Sequence, residues 1–225
     1  MKELAGGIHT LAGPLRFLGL EVGARMTVLE LDGGLLVHSP LGVEPETLAP
    51  LGEVRWVVAP NKLHHLFVGP WVARGAEGWA AAGLPQKRPD VAFTGVLEGD
   101  VQPFGSDVEV VPLTCFGLTN EVLLHHRPSR TLITTDLVFN VPPTAPWLTR
   151  AAFTCACAYP GCRTSLLERV AMDRGCARQD FARILDLDFD RLIMAHGEVV
   201  ETGGKDALAA AFAWLGQPAT ELRGP

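Results

Sequence analysis

One apolar run limits the folds open to this chain more than any other stretch, because a cluster of polar side chains follows it. Residues Val54 to Ala59 have the largely apolar pattern of a buried strand. Pro60 stops this strand, and the five residues from Asn61 to His65 include two adjacent histidines. A strand that ends in side chains able to bind metal provides a rigid support for chemistry. The sequence therefore predicts a site at this strand end.

Two later strand-like runs also end in side chains that could bind a metal. The run Thr131 to Thr135 is followed by Asp136, and the run Arg191 to Ala195 is followed by His196. These strand ends lie far apart in the sequence, so only folding can bring them together. We expect His64 of the first strand end to join Asp136 and His196 in one polar site.

Composition disfavours several classes of protein. Hydrophobic residues make up 48% of the 225 residues and charged residues 20%, which allows a sizeable core and argues against general disorder. The net charge is −6 and no basic run is present, so we expect neither nucleic acid nor a membrane as a partner. No apolar run approaches the ~20 residues that span a bilayer. The first residues lack the order of a signal peptide and the five cysteines are an odd number, so we expect a cytoplasmic protein with reduced thiols.

Alternating and apolar runs predict many short strands and a few helices. Glycine (24 residues) and proline (17 residues) are plentiful, which suits strands joined by tight turns. The predicted strands are Arg25 to Leu31, Leu35 to Val37, Val54 to Ala59, Val108 to Leu113, Glu121 to His126, Thr131 to Thr135 and Arg191 to Ala195. The predicted helices are Glu44 to Leu51, Thr164 to Met172 (on the spacing of Leu166, Leu167 and Val170), Gln179 to Leu187, and Lys205 to Leu215, which Gly216 ends.

The segment Trp71 to Asp100 is less regular and is predicted as helix plus loop covering one side of the domain. Its piece Trp79 to Ala82 is rich in alanine. A helix could begin at His64, but Gly69 and Pro70 would interrupt it. The whole order of elements fits two mixed sheets with helices outside.

This order, together with the three strand ends, resembles the metallo-β-lactamase-like fold. The resemblance spans nearly the whole chain and implies an α/β (α+β) fold in a single domain over residues 1–225. The implied architecture is a four-layered αββα sandwich, two mixed β-sheets with helices on the outer faces. The resemblance also implies a metal site along one edge of the sandwich.

The first ligand motif of that family is only partly present. In the family, a strand runs into the motif His-x-His-x-Asp-His. Here Ala59 stands at the first histidine, Asn61 at the second and Leu63 at the aspartate, so only His64 keeps its place. His65 is an additional histidine directly after the motif.

The later family motifs are also partly present. The turn at residues 117–119 resembles the family's Gly-His-Thr turn, with Leu118 in place of the histidine. Asp136 stands at the aspartate that bridges two metals, and His196 stands at the final histidine. All three ligands of one metal position are therefore replaced, and that half of the site should be empty.

The resemblance consequently implies at most one metal ion. His64, Asp136 and His196 would hold it, with His65 as an added ligand if its ring faces the same way. Two histidines and one carboxylate suit a single Zn²⁺ or Fe²⁺ with open positions. The expected activity is hydrolysis of an unidentified small molecule, with His64 and Asp136 as catalytic residues and a bound water as the nucleophile.

Three other side chains are expected close to the site. Asn61 is expected to orient a ligand or substrate by hydrogen bonding rather than to bind metal. His38 lies at the end of an early hairpin that approaches the site in the family. Cys115 lies just before the 117–119 turn and could act as a nucleophile or a soft ligand.

Several other cysteines and histidines are predicted to lie outside any functional site. Cys155, Cys157 and Cys162 do not have zinc-ribbon spacing, so we predict small buried hydrophobes there. His125 and His126 end a strand beside a turn and are predicted to be solvated.

The sequence is compatible with two other functions. The chain could be a metal-free, degenerate member of the fold that acts as a binding or scaffold protein. It could also be an oxidoreductase that uses iron held by two histidines and one carboxylate. The sequence does not separate zinc from iron, and it leaves the substrate and the oligomeric state open.

Overall fold

Two β-sheets packed face to face form the centre of the molecule, which the computed structural model describes over residues 1–216. The strands are β1 (Lys2–Ala5), β2 (Ile8–Gly13), β3 (Arg16–Phe17), β4 (Leu20–Glu21), β5 (Ala24–Leu31), β6 (Gly34–His38), β7 (Val54–Ala59), β8 (Glu77–Ala81), β9 (Gly95–Leu97), β10 (Val108–Pro112), β11 (Val122–His126), β12 (Thr131–Ile133) and β13 (Arg191–Ile193). The helices are α1 (Gly69–Val72), α2 (Leu84–Lys87), α3 (Trp147–Cys155), α4 (Leu166–Ala171), α5 (Arg174–Asp186) and α6 (Gly204–Ala211).

The larger sheet has seven strands in the order β1-β2-β5-β6-β7-β8-β9. The pairs from β1 to β6 are antiparallel, whereas β6, β7, β8 and β9 run parallel. Strand β7 covers Val54–Ala59, as its apolar pattern predicts. The carboxyl ends of the four parallel strands lie at one edge of the sheet, so the residues that follow β6 and β7 emerge side by side.

The smaller sheet has four strands in the order β10-β11-β12-β13. Its first three strands pair antiparallel, and β12 pairs parallel with β13. In that last pair Ile133 lies opposite Ile193. The residues after β12 and β13 therefore leave this sheet together and in register.

Both faces of each sheet are buried. In β7, Trp56 and Val58 belong to the core between the two sheets, whereas Val57 and Ala59 pack with Trp71 on the outer face. Helices α5 and α6 cover the outer face of the smaller sheet. Burial on both faces explains why β7 reads as a continuous apolar run rather than an alternating one. The predicted four-layered αββα sandwich, with mixed sheets inside and helices outside, is confirmed.

The prediction of helix plus loop over residues 71–100 is wrong for two stretches that form strands of the larger sheet, although helix α2 lies between them. These strands are β8 and β9, each parallel to its neighbours. Ala80 and Ala81 are fully buried on opposite faces of the sheet, so packing outweighs the helix preference of alanine. A side chain at Gly95 would come within 2.5 Å of the Trp79 ring, so glycine lets the two strands pair closely.

Two predicted helices differ in extent or position. Gly69 and Pro70 begin α1 rather than interrupt a helix, because proline suits the first helical turn. The helix predicted over Glu44 to Leu51 is a single 3-10 turn at Pro45–Leu48.

Helix α4 forms where it is predicted, but its apolar residues do not face the core. Leu166, Leu167 and Val170 are exposed, and the buried side chain is Glu168. The hydroxyl of Ser165 caps the helix by accepting a hydrogen bond from the Leu167 N–H. The apolar spacing therefore predicts the helix but does not predict which of its faces is buried.

Two predictions about burial are wrong. Cys155 and Cys157 are exposed and Cys162 is half-buried, because they lie at and beyond the carboxyl end of α3. His125 and His126 are buried rather than solvated, since β11 lies between β10 and β12. Among the helices within residues 1–216, none has the length and apolar character needed to cross a membrane.

Candidate metal centre

Three strand ends meet at one edge of the sandwich, where they bring together His64, Asp136 and His196. Asp136 and His196 each follow the paired residues Ile133 and Ile193 by three positions, so the parallel register of β12 and β13 sets them side by side. His64 comes from the larger sheet, after β7. A side chain at Gly197 would overlap the backbone of Asn140, so glycine allows the loop that carries His196 to pass close to its neighbour.

The three side chains present their ligand atoms to a common point. The Asp136 Oδ1 atom lies 3.2 Å from His196 Nε2 and 3.4 Å from His64 Nε2. The two Nε2 atoms are 3.2 Å apart. All three ligand atoms lie within 4.8 Å of one another, and the side chains are largely buried. A set of two imidazole nitrogens and one carboxylate oxygen could hold one metal ion.

The other ring nitrogen of each histidine is held by the protein. His64 Nδ1 lies 2.7 Å from Ser39 Oγ, and His196 Nδ1 lies 2.6 Å from the carbonyl oxygen of Gly23. A carbonyl oxygen only accepts, so the proton of neutral His196 is assigned to Nδ1 and its Nε2 carries a lone pair. The ring of Phe139 also stacks on His196 at 5.8 Å. These contacts orient both Nε2 atoms toward Asp136.

This arrangement requires a positive charge at its centre. With the Nδ1 proton fixed on neutral His196, a lone pair faces the Asp136 carboxylate, and either a proton or a metal ion must relieve that repulsion. Burial acts to raise the pKa of the Asp136 carboxyl, but the charges and hydrogen bonds of His64 and His196 outweigh burial and hold that pKa well below its usual range. Burial is the largest effect and acts to lower the pKa of His196, but the hydrogen bond to Asp136, the charge of Asp136 and the hydrogen bond to the Gly23 carbonyl together outweigh burial and raise that pKa. A proton on a histidine or a bound cation could supply this charge.

Asn61 forms a hydrogen bond with the second carboxylate oxygen of Asp136. Its amide nitrogen donates to Asp136 Oδ2 at 2.7 Å and to Thr135 Oγ1 at 2.8 Å. Its amide oxygen accepts the backbone N–H groups of Leu63 and His64, both at 2.8 Å. Asn61 thus ties the loop of His64 to Asp136 and leaves Oδ1 as the carboxylate oxygen that faces the histidines.

The other replaced ligand positions offer no donor atom to a metal. The side chain of Ala59 is buried in the outer core of the larger sheet. The side chains of Leu63 and Leu118 are 52% and 58% exposed. Within residues 1–216, the cluster of His64, Asp136 and His196 is the one group of three metal-capable side chains.

Two sequence-predicted residues are not brought into this cluster. His65 faces the other way, with Nδ1 3.1 Å from Arg88, which also donates to the His65 carbonyl at 2.8 Å. Cys115 lies in the core under the smaller sheet, and its backbone N–H donates to Asp180 at 2.9 Å. Burial, with the nearby Asp180, raises the pKa of the Cys115 thiol to about 12, which does not suit a nucleophile.

His38 lies beneath the cluster as a buried neighbour. It ends β6 and is 1% exposed, and its Nε2 finds no hydrogen-bond partner among the described residues. Burial, and then the charge of His64, lowers the pKa of His38 to about 3. The ring is thus neutral at physiological pH and adds no positive charge under the site.

Sequence reasoning missed three contributors to the site. Ser39 holds His64, the Gly23 carbonyl holds His196, and Glu121 binds the turn that carries Asp136. Burial, and then the charge of Asp136, raises the pKa of Glu121 to about 8. The signal for Glu121 was an acid at the start of an otherwise apolar strand. No sequence pattern marks a backbone carbonyl such as that of Gly23.

Comparison with known proteins supports the fold described above. Residues 6–160 match a family model described as "Domain of unknown function (DUF4336)". No curated protein matches the sequence. Asp136 lies inside the matched residues and His196 lies beyond them.

Several solved structures share the fold at low sequence identity. A metallo-beta-lactamase from Pontibacter korlensis has a TM-score of 0.64 at 12% identity, covering 95% of this chain and 97% of that one. A metallo-beta-lactamase from Hirschia baltica has a TM-score of 0.64 at 12% identity, covering 95% of each chain. The metallo-beta-lactamase FIM-1 from Pseudomonas aeruginosa, in its mono-zinc form, has a TM-score of 0.62 at 11% identity over 92% of this chain and 93% of that one. The predicted metallo-β-lactamase-like fold is confirmed.

Proposed function

This chain belongs to the family described as domain of unknown function DUF4336, and from that premise and its metallo-β-lactamase fold we propose that it is a hydrolase that works with one divalent metal ion. The ligands in this proposal are His64, Asp136 and His196. The substrate is a small molecule that reaches the ion at the edge of the sandwich.

The observation that carries the proposal is the convergence of three electron-pair donors on one point. Their ligand atoms lie within 4.8 Å of one another, and both histidines are held through Nδ1 with Nε2 turned inward. Hydrogen bonding of the far ring nitrogen is the usual way in which proteins orient a metal-binding histidine. Three protein ligands with open positions are typical of a catalytic site rather than a closed structural one.

The donor set also supports one ion rather than two. Asn61 donates a hydrogen bond to Asp136 Oδ2, which disfavours the use of that oxygen to bridge a second ion. A mono-zinc form is recorded for FIM-1, a protein of the same fold, so a single ion is compatible with this architecture.

Each residue then has a defined task in hydrolysis. A divalent ion held here would polarise a substrate oxygen and lower the pKa of a water to about 7. Asp136 supplies the negative charge that would hold the ion. His64 and His196 supply neutral nitrogen ligands, and Ser39 and the Gly23 carbonyl keep both rings in place. Asn61 keeps Asp136 from rotating.

Metal-depleted protein tests this function directly. Zn²⁺, Fe²⁺ and Mn²⁺ are added separately, and thermal stability is measured together with hydrolysis of chromogenic carboxylic esters, lactones, phosphodiesters and a β-lactam. We expect at least one metal to stabilise the protein, by about 2.7 kcal/mol at a hundredfold excess over Kd, and to switch on one hydrolysis.

Two neighbouring histidines provide matched variants for this experiment. His64→Ala should abolish both the stabilisation and the hydrolysis, whereas His65→Ala should keep both, because His65 contacts Arg88 instead of the cluster. Stabilisation without any hydrolysis would favour a metal-binding protein that is not a hydrolase. An oxygen-dependent spectrum with Fe²⁺ would favour the iron oxidoreductase. Equal behaviour of wild type and His64→Ala would favour the metal-free scaffold.

A further inference from the structure

We propose that Glu121 is a positioning residue of the metal centre: it fixes the backbone turn that carries Asp136 and thereby sets the affinity for the metal. This inference rests on the proposed single-metal function. Glu121 does not belong to the cluster of ligand atoms itself.

The geometry is that of a carboxylate clamp on two consecutive backbone N–H groups. The N–H of Thr135 donates to Glu121 Oε1 at 2.6 Å, and the N–H of Asp136 donates to Glu121 Oε2 at 3.0 Å. Glu121 is fully buried, so water does not compete for these hydrogen bonds. Both oxygens of one carboxylate therefore hold the residue that provides the metal ligand and the residue before it.

The clamp begins where the sheet stops. The last backbone hydrogen bond from this segment to β13 is from the Thr134 N–H to the Ile193 carbonyl, at 2.8 Å. The next two N–H groups are buried and have no strand to pair with, and a buried N–H without a partner is costly. Glu121 satisfies both and continues the rigid support of β12 as far as Asp136.

Glutamate suits this task better than an amide side chain. Both oxygens of its carboxyl group have lone pairs that can accept a backbone N–H. An amide offers one acceptor oxygen and would turn its NH₂ group toward the second backbone N–H. In this clamp the two N–H groups point to different oxygens, so glutamine in the same position would satisfy one of them and place its NH₂ group against the other, although its shape is nearly the same.

Glu168 offers a matched control. It is also a buried carboxylate, and its pKa is raised by burial and further by the charge of Asp136. Its side chain contacts the Ser165 hydroxyl rather than the turn of Asp136. A substitution at Glu168 therefore removes a carboxyl from the same electrostatic surroundings without removing the clamp.

The test compares Zn²⁺ binding by wild type, Glu121→Gln and Glu168→Gln. Metal-depleted proteins are titrated against a chromophoric chelator to obtain Kd, and the melting temperature is measured with and without Zn²⁺. We expect Glu121→Gln to weaken Zn²⁺ binding by about 10- to 100-fold, as loss of an orienting partner typically does. We expect Glu168→Gln to change Kd by less than about threefold, since it shares no partner with the ligands.

The metal-induced shift in melting temperature separates positioning from general stability. A structural role would lower the melting temperatures of the metal-free and metal-bound forms equally, whereas a positioning role shrinks the difference between them. If Glu121→Gln does not fold, the same measurements are made on Glu121→Asp, whose shorter stem withdraws both acceptor oxygens from the two N–H groups. Zn²⁺ binding by this variant within about threefold of wild type would then overturn the inference.

Three results would overturn the inference. Zn²⁺ binding by folded Glu121→Gln within about threefold of wild type would show that the clamp does not set affinity. Equal weakening in Glu168→Gln would show that charge, not positioning, is responsible. Absence of metal binding in the wild-type protein would overturn the proposed function, and this inference with it.

Discussion

At the scale of single residues, Asn61 determines which carboxylate oxygen of Asp136 faces the two histidines. Its amide nitrogen donates to Asp136 Oδ2, and its amide oxygen accepts two backbone N–H groups. The amide therefore takes up one oxygen of the carboxylate and leaves Oδ1 to face the two histidines.

The stability of the metal-free protein should depend on this amide. Asn61→Ala leaves Asp136 Oδ2 and the N–H groups of Leu63 and His64 without partners, so we expect the free energy of unfolding to fall by about 2–4 kcal/mol. Asn140→Ala is the control, because Asn140 makes one exposed hydrogen bond to the Glu198 carbonyl and should cost about 1 kcal/mol or less. Urea denaturation measures both, and equal losses would contradict the role given to Asn61.

His38 should make the protein sensitive to mild acid. Its pKa is lowered from 6.5 to about 3 by burial and then by the charge of His64. Below pH ~6.5 the unfolded chain binds a proton at this ring that the folded chain refuses until about pH 3, so stability is lost as pH falls through that window. At pH 5 the loss from this one ring is about 2 kcal/mol.

The variant His38→Phe should flatten that acid limb. The free energy of unfolding of metal-free wild type and variant is measured from pH 7 to pH 4. A packing defect shifts the whole curve, so the slope reports the titration of His38 separately from the fit of the new ring. Parallel curves for the two proteins would contradict a neutral, buried His38.

At the scale of elements, sequence reasoning succeeds where a strand is buried on both faces and fails where packing overrides local preference. Strand β7 is predicted to the residue, because six largely apolar positions bounded by proline allow few other structures. Strand β8 is missed, because Ala80 and Ala81 read as helix formers and their burial depends on strands more than ten residues away. Helix α4 is found from Leu166, Leu167 and Val170, yet these residues face solvent.

The residues of the candidate site likewise differ in how far they can be predicted from the sequence. His64, Asp136 and His196 could be predicted because each directly follows a strand or its turn, and strand ends are visible in sequence. Ser39 and Glu121 could not be assigned roles, because their contacts cross 25 and 14 or 15 residues and depend on where two loops meet. The direction of His65 was open for the same reason, since only the contact with Arg88 fixes it.

At the scale of the whole molecule, the candidate centre exists only where the two sheets meet. His64 follows a strand of the larger sheet, whereas Asp136 and His196 follow paired strands of the smaller one. The ligands are 72 and 132 residues from His64 in sequence, so no part of the chain contains the site by itself. The parallel strands of both sheets deliver polar side chains to the edge of an otherwise apolar sandwich, which is where open α/β sheets commonly bind ligands.

The proposed function depends on one metal ion at this edge, and the metal content of protein purified without added metal tests its presence most directly. Elemental analysis of the wild type should give close to one equivalent of Zn²⁺ or Fe²⁺ in total, and His196→Ala should lose it, because two remaining ligands bind poorly. Less than about a tenth of an equivalent, with no rise in thermal stability on adding Zn²⁺, Fe²⁺ or Mn²⁺, would contradict the proposed function. Two equivalents would contradict it as well, because Asn61 would then not exclude the second ion.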